Sequence, residues 1–244
     1  MTGRPVDGVL FDVDDTLVDT HGAFAQALAA VREQWLPHLG AAGDTALLDH
    51  WRADAGGRYR QYTRGEVGYR EQRMARANDL HAAFGGPVLD DAAYDRWNAL
   101  FEERFTGAWA AHDDAAAVVR HLLDAGVRVG ALTNAATAYQ VAKLTAVGLV
   151  DEVPLLVGVD TLGFGKPDPR VFAEACRRLG TEPGRTAYVG DELDVDARAA
   201  AAAGLRGVWL ARPGLGAKDA NAGEPAPSDV VITTLAELPG VLGL

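Results

Sequence analysis

The sequence predicts an α/β fold: a parallel, doubly wound sheet in three α/β/α layers, with an all-helical segment inserted after the first strand. Three observations predict it. Residues 9–17, Val-Leu-Phe-Asp-Val-Asp-Asp-Thr-Leu, are an apolar run that ends abruptly in carboxylates, which reads as a buried strand with polar groups at its carboxyl edge. From about residue 113 onward, strand-like and helix-like segments alternate, the pattern of a parallel sheet with right-handed crossovers. Between about 20 and 105 no comparable strand occurs, and Ala, Arg, Glu and Leu dominate.

In chain order, 6–13 is the first strand. Helices are expected over about 20–36, 44–62, 66–84 and 90–106, with breaks at Pro37, Gly40, Gly43, Gly56, Gly57, Gly65, Gly85, Gly86 and Pro87. Thr20 and Asp44 are candidate N-caps. A helix over 113–125 stops at Gly126, and 127–133 is the second strand. A helix over 136–147 stops at Gly148, and 153–159 is the third strand. Asp168-Pro169 places an N-cap before a proline at the first helical position. That helix runs to 179 and stops at Gly180. The fourth strand, 186–189, leads into Gly190-Asp191, and the helix 194–203 stops at Gly204. Strands over 207–210 and 229–232 complete the sheet, with a Pro/Gly-rich loop over 212–228. The expected division is a core of 1–18 with 108–244 and a helical-bundle cap domain of 19–107.

Bulk properties narrow the function. A 48% hydrophobic content over 244 residues supports a real core. The net charge of −11 disfavours general nucleic-acid or anionic-membrane binding. An anionic substrate must therefore be drawn by local positive charge or a metal. The single cysteine, Cys176, allows no intramolecular disulfide and reads as a small apolar residue inside a helix. There is no signal-like N-terminus and no apolar span long enough for a membrane, so a cytoplasmic protein is expected.

Four strand ends carry polar residues: Asp12 and Asp14, Thr133 and Asn134, Lys166, and Asp191 with Asp194 and Asp196. In a parallel sheet these ends share one edge. Asp12 and Asp14, with one residue between them, can be held by one turn and share a metal ion. Gly163-Phe164-Gly165-Lys166-Pro167 lacks both the third glycine of a dinucleotide fingerprint and the hydroxyl residue that follows Gly-Lys in a P-loop.

The stretches Phe11-Asp12-Val13-Asp14-Asp15-Thr16-Leu17, Leu132-Thr133-Asn134, Gly165-Lys166-Pro167-Asp168-Pro169 and Val189-Gly190-Asp191-Glu192-Leu193-Asp194-Val195-Asp196 resemble, in order and spacing, the four motifs of the haloacid dehalogenase superfamily of aspartate-nucleophile hydrolases. The resemblance covers nearly the whole chain. It implies a Rossmann-like core, and the helical insertion resembles the type 1 cap, which closes over a small substrate. It further implies an Mg²⁺-dependent phosphatase. Asp12 is then the nucleophile and Asp14 the acid that protonates the leaving oxygen and later takes a proton from water. Mg²⁺ is held by Asp12, Asp191 and the backbone carbonyl of Asp14. Thr133 and the backbone at Asn134 bind phosphate oxygens, and Lys166 pairs with phosphate and Asp12. Asp196 orients the metal's water shell, with Asp194 the other candidate. Asp15 stands where many relatives have glycine, and Glu192 and Val195 replace commoner Ser and Asn.

Seven arginines fall within 52–76 against three acids, Asp54, Glu66 and Glu71. A solvated basic face and a contact to a second anionic group on the substrate are both open readings, the candidates for the contact being Arg58, Arg60 and Arg64. The expected partner is a small phosphorylated metabolite, with no nucleic acid and no membrane, on a monomer or weak homodimer. A phosphomutase or dehalogenase on the same scaffold, and a catalytically silent binding protein, are the alternatives.

Overall fold

A computed structural model describes residues 6–215, 226 and 229–244. The chain divides into two compact units, one of Met1–Asp19 with Ala110–Leu244 and one of Thr20–Trp109. In the first, strands β1 (Gly8–Phe11), β2 (Arg128–Leu132), β3 (Leu155–Val157), β4 (Thr186–Gly190), β5 (Arg206–Leu210) and β6 (Val230–Ile232) form one sheet in the order β3-β2-β1-β4-β5-β6. Every pairing is parallel. The order reverses direction at β1, so the crevice between the carboxyl ends of β1 and β4 is the topological switch point, where doubly wound sheets bind ligands. Register sets the site: Phe11 lies opposite both Ala131 and Val189. The residues that follow these strands therefore emerge side by side.

The α-helices, in chain order, are α1 (Thr20–Trp35), α2 (Asp44–Ala53), α3 (Arg58–Thr63), α4 (Tyr69–Ala83), α5 (Asp91–Gly107), α6 (Ala115–Asp124), α7 (Thr137–Ala146), α8 (Pro169–Leu179), α9 (Ala199–Ala202) and α10 (Leu238–Leu242). Because successive strand residues face opposite ways, β1 feeds two cores. Val9 and Phe11 pack with Val118, Val119 and Leu122 of α6, Leu144 of α7 and Leu238 of α10. Leu10 packs with Val171, Phe172 and Cys176 of α8 and Ala200 of α9. All four β1 residues are buried, each large one contributing about 1.5–3 kcal/mol. Cys176 is a buried free thiol within this second core.

The second unit is helical. Phe24 of α1 stacks on Phe105 of α5, with ring centroids 4.6 Å apart, and Trp51, Trp97 and Phe101 continue the aromatic interior. Arg73 is buried there, 4.3 Å from the Phe101 ring centre and 2.6 Å from Glu102.

Several boundaries differ from the sequence reading. The helix expected over 44–62 divides into α2 and α3, because Asp54 (φ 41°) and Gly57 (φ 63°) are left-handed. Asp44 is the first helical residue rather than the N-cap, which is Gly43; its carboxylate binds Arg32 at 2.5 Å instead. Asp168 does cap α8, accepting from Arg170 N at 2.9 Å. The helix expected over 194–203 opens as a wider π-helical turn, Leu193–Arg198, before α9. The short α10 has only one turn, too little for a periodic sequence signal. Of the expected loop 212–228, residues 216–225 and 227–228 lie outside the described residues.

Candidate active site

Asp12 follows β1 and extends its ladder, its N–H donating to the Val189 carbonyl at 2.8 Å. The side chain is almost buried. The backbone then folds back, with Leu17 and Val18 N–H groups both donating to the Val13 carbonyl at 3.0 Å. This turn holds Asp15 at φ 62°. That is the left-handed region glycine enters freely, and aspartate tolerates it better than most side chains. The departure at Asp15 therefore preserves the turn.

Lys166 reaches across from the loop before α8. Its ammonium donates to Asp12 Oδ1 at 2.9 Å, Tyr188 Oη at 2.7 Å and Asp196 Oδ1 at 2.7 Å. Three protons meet three acceptors. Burial alone would push this lysine down, but Asp12 and Asp196 outweigh it and hold it well above the usual range, so it stays charged. Burial, with the Asp196 charge beside it, raises the Tyr188 phenol well above its usual value. The Tyr188 hydroxyl donates to the Leu132 carbonyl at 2.8 Å, tying β4 to β2 across β1.

The carboxylates of Asp12, Asp191 and Asp196 each offer an oxygen within 4.8 Å of the others. Three carboxylates against one ammonium leave excess negative charge that a divalent cation would neutralise, and an all-oxygen donor set suits Mg²⁺. The residues therefore fit the metal. Both Asp196 oxygens are engaged: Oδ1 accepts from Lys166 and lies 3.2 Å from the Tyr188 hydroxyl, and Oδ2 accepts from Glu192 N at 3.0 Å. Its carboxylate lies directly over Gly190, where a Cβ would come within 2.3 Å of Oδ2. Asp194 points elsewhere, to Arg198 at 2.7 Å. The Asp191 carbonyl is held by Trp209 Nε1 at 2.9 Å.

Thr133 follows β2, its N–H bound to Val157 O at 2.9 Å. Its hydroxyl oxygen accepts from Ala135 N at 3.2 Å and Gln140 Nε2 at 3.0 Å. Asn134 uses its side chain on the Lys166 backbone, accepting from Lys166 N at 2.7 Å and donating to Lys166 O at 3.0 Å. The clasp needs the bare backbone of Gly165, where a Cβ would sit 2.1 Å from Asn134 Oδ1.

Asp14 meets α7: Gln140 Nε2 donates to Oδ2 at 2.6 Å, and the Lys143 ammonium donates to Oδ1. Gln140, Lys143 and Tyr188 are the site residues that sequence reasoning missed. A signal existed. Gln140, Lys143 and Leu144 share one face of a helix that must bury a face against the sheet, and two of the three are polar.

The basic segment of the helical unit is largely neutralised from within that unit. Arg58 pairs with Asp79 at 3.3 Å, Arg64 with Glu66 at 2.6 Å, Arg70 with Asp95 at 2.5 Å and Arg73 with Glu102 at 2.6 Å. Most of these acids lie beyond the window in which the arginines cluster. Arg60 is exposed.

The family model for haloacid dehalogenase-like hydrolases matches residues 6–204. A phosphoserine phosphatase of Thermus thermophilus is 34% identical over 143 residues, 59% of this chain and 55% of that protein, so the match spans about half of that relative's length. A phosphoglycolate phosphatase of Mesorhizobium japonicum is 29% identical over 93% of this chain and 90% of its own. A crystal structure of a dehalogenase with an intermediate complex superimposes with a TM-score of 0.73, at 23% identity, over 99% of both chains; at that identity the likeness concerns the fold. The four strand-end motifs, the switch-point site and the family match agree: the chain belongs to the haloacid dehalogenase-like hydrolase family.

Proposed function

We propose that this protein is an Mg²⁺-dependent phosphomonoester hydrolase that acts on a small phosphorylated metabolite through an aspartyl-phosphate on Asp12. The observation that carries the reading is the pairing of a nearly buried Asp12, 2.9 Å from the Lys166 ammonium, with a second acid, Asp14, one residue beyond. Relatives bearing phosphatase names support it.

Asp12 attacks phosphorus, the bond to the ester oxygen breaks, and the departing oxygen takes a proton from Asp14. Water then attacks phosphorus and gives its proton to the Asp14 carboxylate. The bond to Asp12 breaks, so inorganic phosphate leaves with both aspartates restored. Asp12, Asp191 and the Asp14 backbone carbonyl would hold Mg²⁺, which when bound offsets the repulsion between two anions. Lys166 supplies fixed positive charge at the nucleophile. Thr133 and the backbone at Asn134 hold phosphate oxygens. Asp196 keeps Lys166 in place and orients the metal's waters. The helical unit acts as the cap, and Arg58, Arg60 and Arg64 are its candidate substrate contacts. A cytoplasmic location is part of this reading.

Halide leaves as an anion and needs no proton, so a dehalogenase would give Asp14 no task. The test is phosphate release from a broad panel of phosphorylated metabolites, with Mg²⁺ and with EDTA. Metal-dependent release is expected, and the best ester identifies the metabolite class. Halide release from 2-haloacids without phosphate release from any ester would overturn the reading.

A further inference from the structure

Beyond the residues the phosphatase reading uses, α7 brings two buried polar side chains to the site. Gln140 is fully buried and Lys143 nearly so. They stand one turn apart, and both end on Asp14. An ammonium and an amide inside a sheet–helix interface oppose hydrophobic packing, so their placement calls for a physical reason. Gln140 Nε2 carries two protons, and the structure directs one to Asp14 Oδ2 at 2.6 Å and the other to Thr133 Oγ1 at 3.0 Å. The same orientation leaves Gln140 Oε1 buried with no hydrogen-bond partner among the described residues. The amide thus gives up one bond to keep both donors on the site.

The consequence for Thr133 is specific. A hydroxyl oxygen has two lone pairs and one proton. Ala135 N and Gln140 Nε2 fill both lone pairs. The proton remains to donate, and an anion is the partner it suits. The consequence for Asp14 is different: each carboxylate oxygen has its own donor, so rotation of the group about its bond is opposed from two sides.

We infer that Gln140 and Lys143 form a positioning clamp that fixes the proton-transferring carboxylate of Asp14 relative to the phosphate-binding hydroxyl of Thr133. This rests on the phosphatase reading and extends it to two residues outside the four motifs. Gln140 bonds both groups, whereas the Lys143 ammonium bonds the Asp14 carboxylate. The two therefore have separable effects: Lys143 acts on leaving-group departure alone, and Gln140 acts on departure and on phosphate affinity. Misplacing a reacting group by a fraction of a bond length is enough to slow a step by tenfold or more.

The test uses the full chain with Mg²⁺ and two aryl esters, p-nitrophenyl phosphate and phenyl phosphate, whose leaving groups differ in basicity. Lys143→Met is expected to lower kcat on phenyl phosphate about 30-fold and on p-nitrophenyl phosphate only about threefold, with KM and inhibition by inorganic phosphate unchanged. Gln140→Leu is expected to show the same leaving-group dependence, and also a several-fold rise in both KM and the inhibition constant for inorganic phosphate. Lys143→Arg should restore kcat to within about threefold, since a guanidinium can keep the carboxylate bond. If Lys143→Met does not fold, Gln140→Leu and Lys143→Arg carry the comparison. Folded variants that hydrolyse both esters at wild-type rates, or lose equal factors on both, overturn the clamp and leave the phosphatase reading standing. A wild type that releases phosphate from neither aryl ester nor any ester of the metabolite panel overturns that reading, and the clamp with it.

Discussion

The Tyr188 hydroxyl accepts from the Lys166 ammonium at 2.7 Å and donates onward to the Leu132 carbonyl at 2.8 Å. One phenol thus joins the lysine that contacts Asp12 to the strand end that carries Thr133. Tyr188→Phe keeps the ring packed on Phe172 but removes one acceptor from Lys166 and the donor from Leu132. The expected cost is about 1–3 kcal/mol of stability, read by denaturant unfolding, with roughly tenfold lower kcat. A variant as stable and active as wild type would show that Lys166 needs no third partner.

Lys166→Met removes the charge between Asp12 and Asp196. Two nearly buried carboxylates are then left without the ammonium that joined them. Without metal, a loss of about 3–5 kcal/mol is expected. Added Mg²⁺ should recover more stability in this variant than in wild type, because the cation supplies the missing positive charge. Equal Mg²⁺ responses in the two proteins would contradict this picture.

Metal binding is measurable without turnover. A ligand held by the folded state alone stabilises it by about 2.7 kcal/mol at a hundred times its Kd. Wild type should show a Tm that climbs with Mg²⁺ concentration and falls back on adding EDTA. Asp191→Asn should lose most of that climb. A response unchanged in the variant would remove Asp191 from the donor set.

Away from the site, Asp114 contributes to acid stability. Burial would raise its carboxyl, but Arg212 at 2.8 Å, the Thr234 hydroxyl at 2.7 Å and Leu235 N–H at 2.8 Å outweigh burial and hold it down at about 2. A depressed carboxyl stabilises the fold above its unfolded value of 3.8. That contribution disappears as pH falls from there through about 2, and it is on the order of 2 kcal/mol. Asp114→Asn should therefore unfold more easily than wild type at neutral pH, and the difference should shrink below pH 4. A gap that stays constant down to pH 2 would contradict the assignment.

The parallel sheet and the carboxyl-edge positions of Asp12, Thr133 and Asp191 were legible because apolar runs of β1, β2 and β4 end abruptly in polar residues. Motif spacing favoured Asp196 over Asp194; Asp196 meets Lys166, whereas Asp194 meets Arg198. Gln140 and Lys143 were legible only as polar residues on the face of α7 that is buried, since their partner, Asp14, lies more than 120 positions away. The division between α2 and α3 falls where Asp54 and Gly57 take left-handed conformations, so Gly57, with Gly56 beside it, marks a helix boundary inside 44–62 rather than an interruption of one helix. The arginine-rich segment looked unbalanced only because Asp79, Asp95 and Glu102, its partners, lie outside the window.

The most direct test of the account is acid quench of the enzyme during turnover of a phosphate ester, followed by peptide mass spectrometry. A phosphoryl group on Asp12 is expected, absent in Asp12→Asn, which should release no phosphate. Steady phosphate release by Asp12→Asn, or turnover by wild type that never labels the peptide containing Asp12, would contradict it.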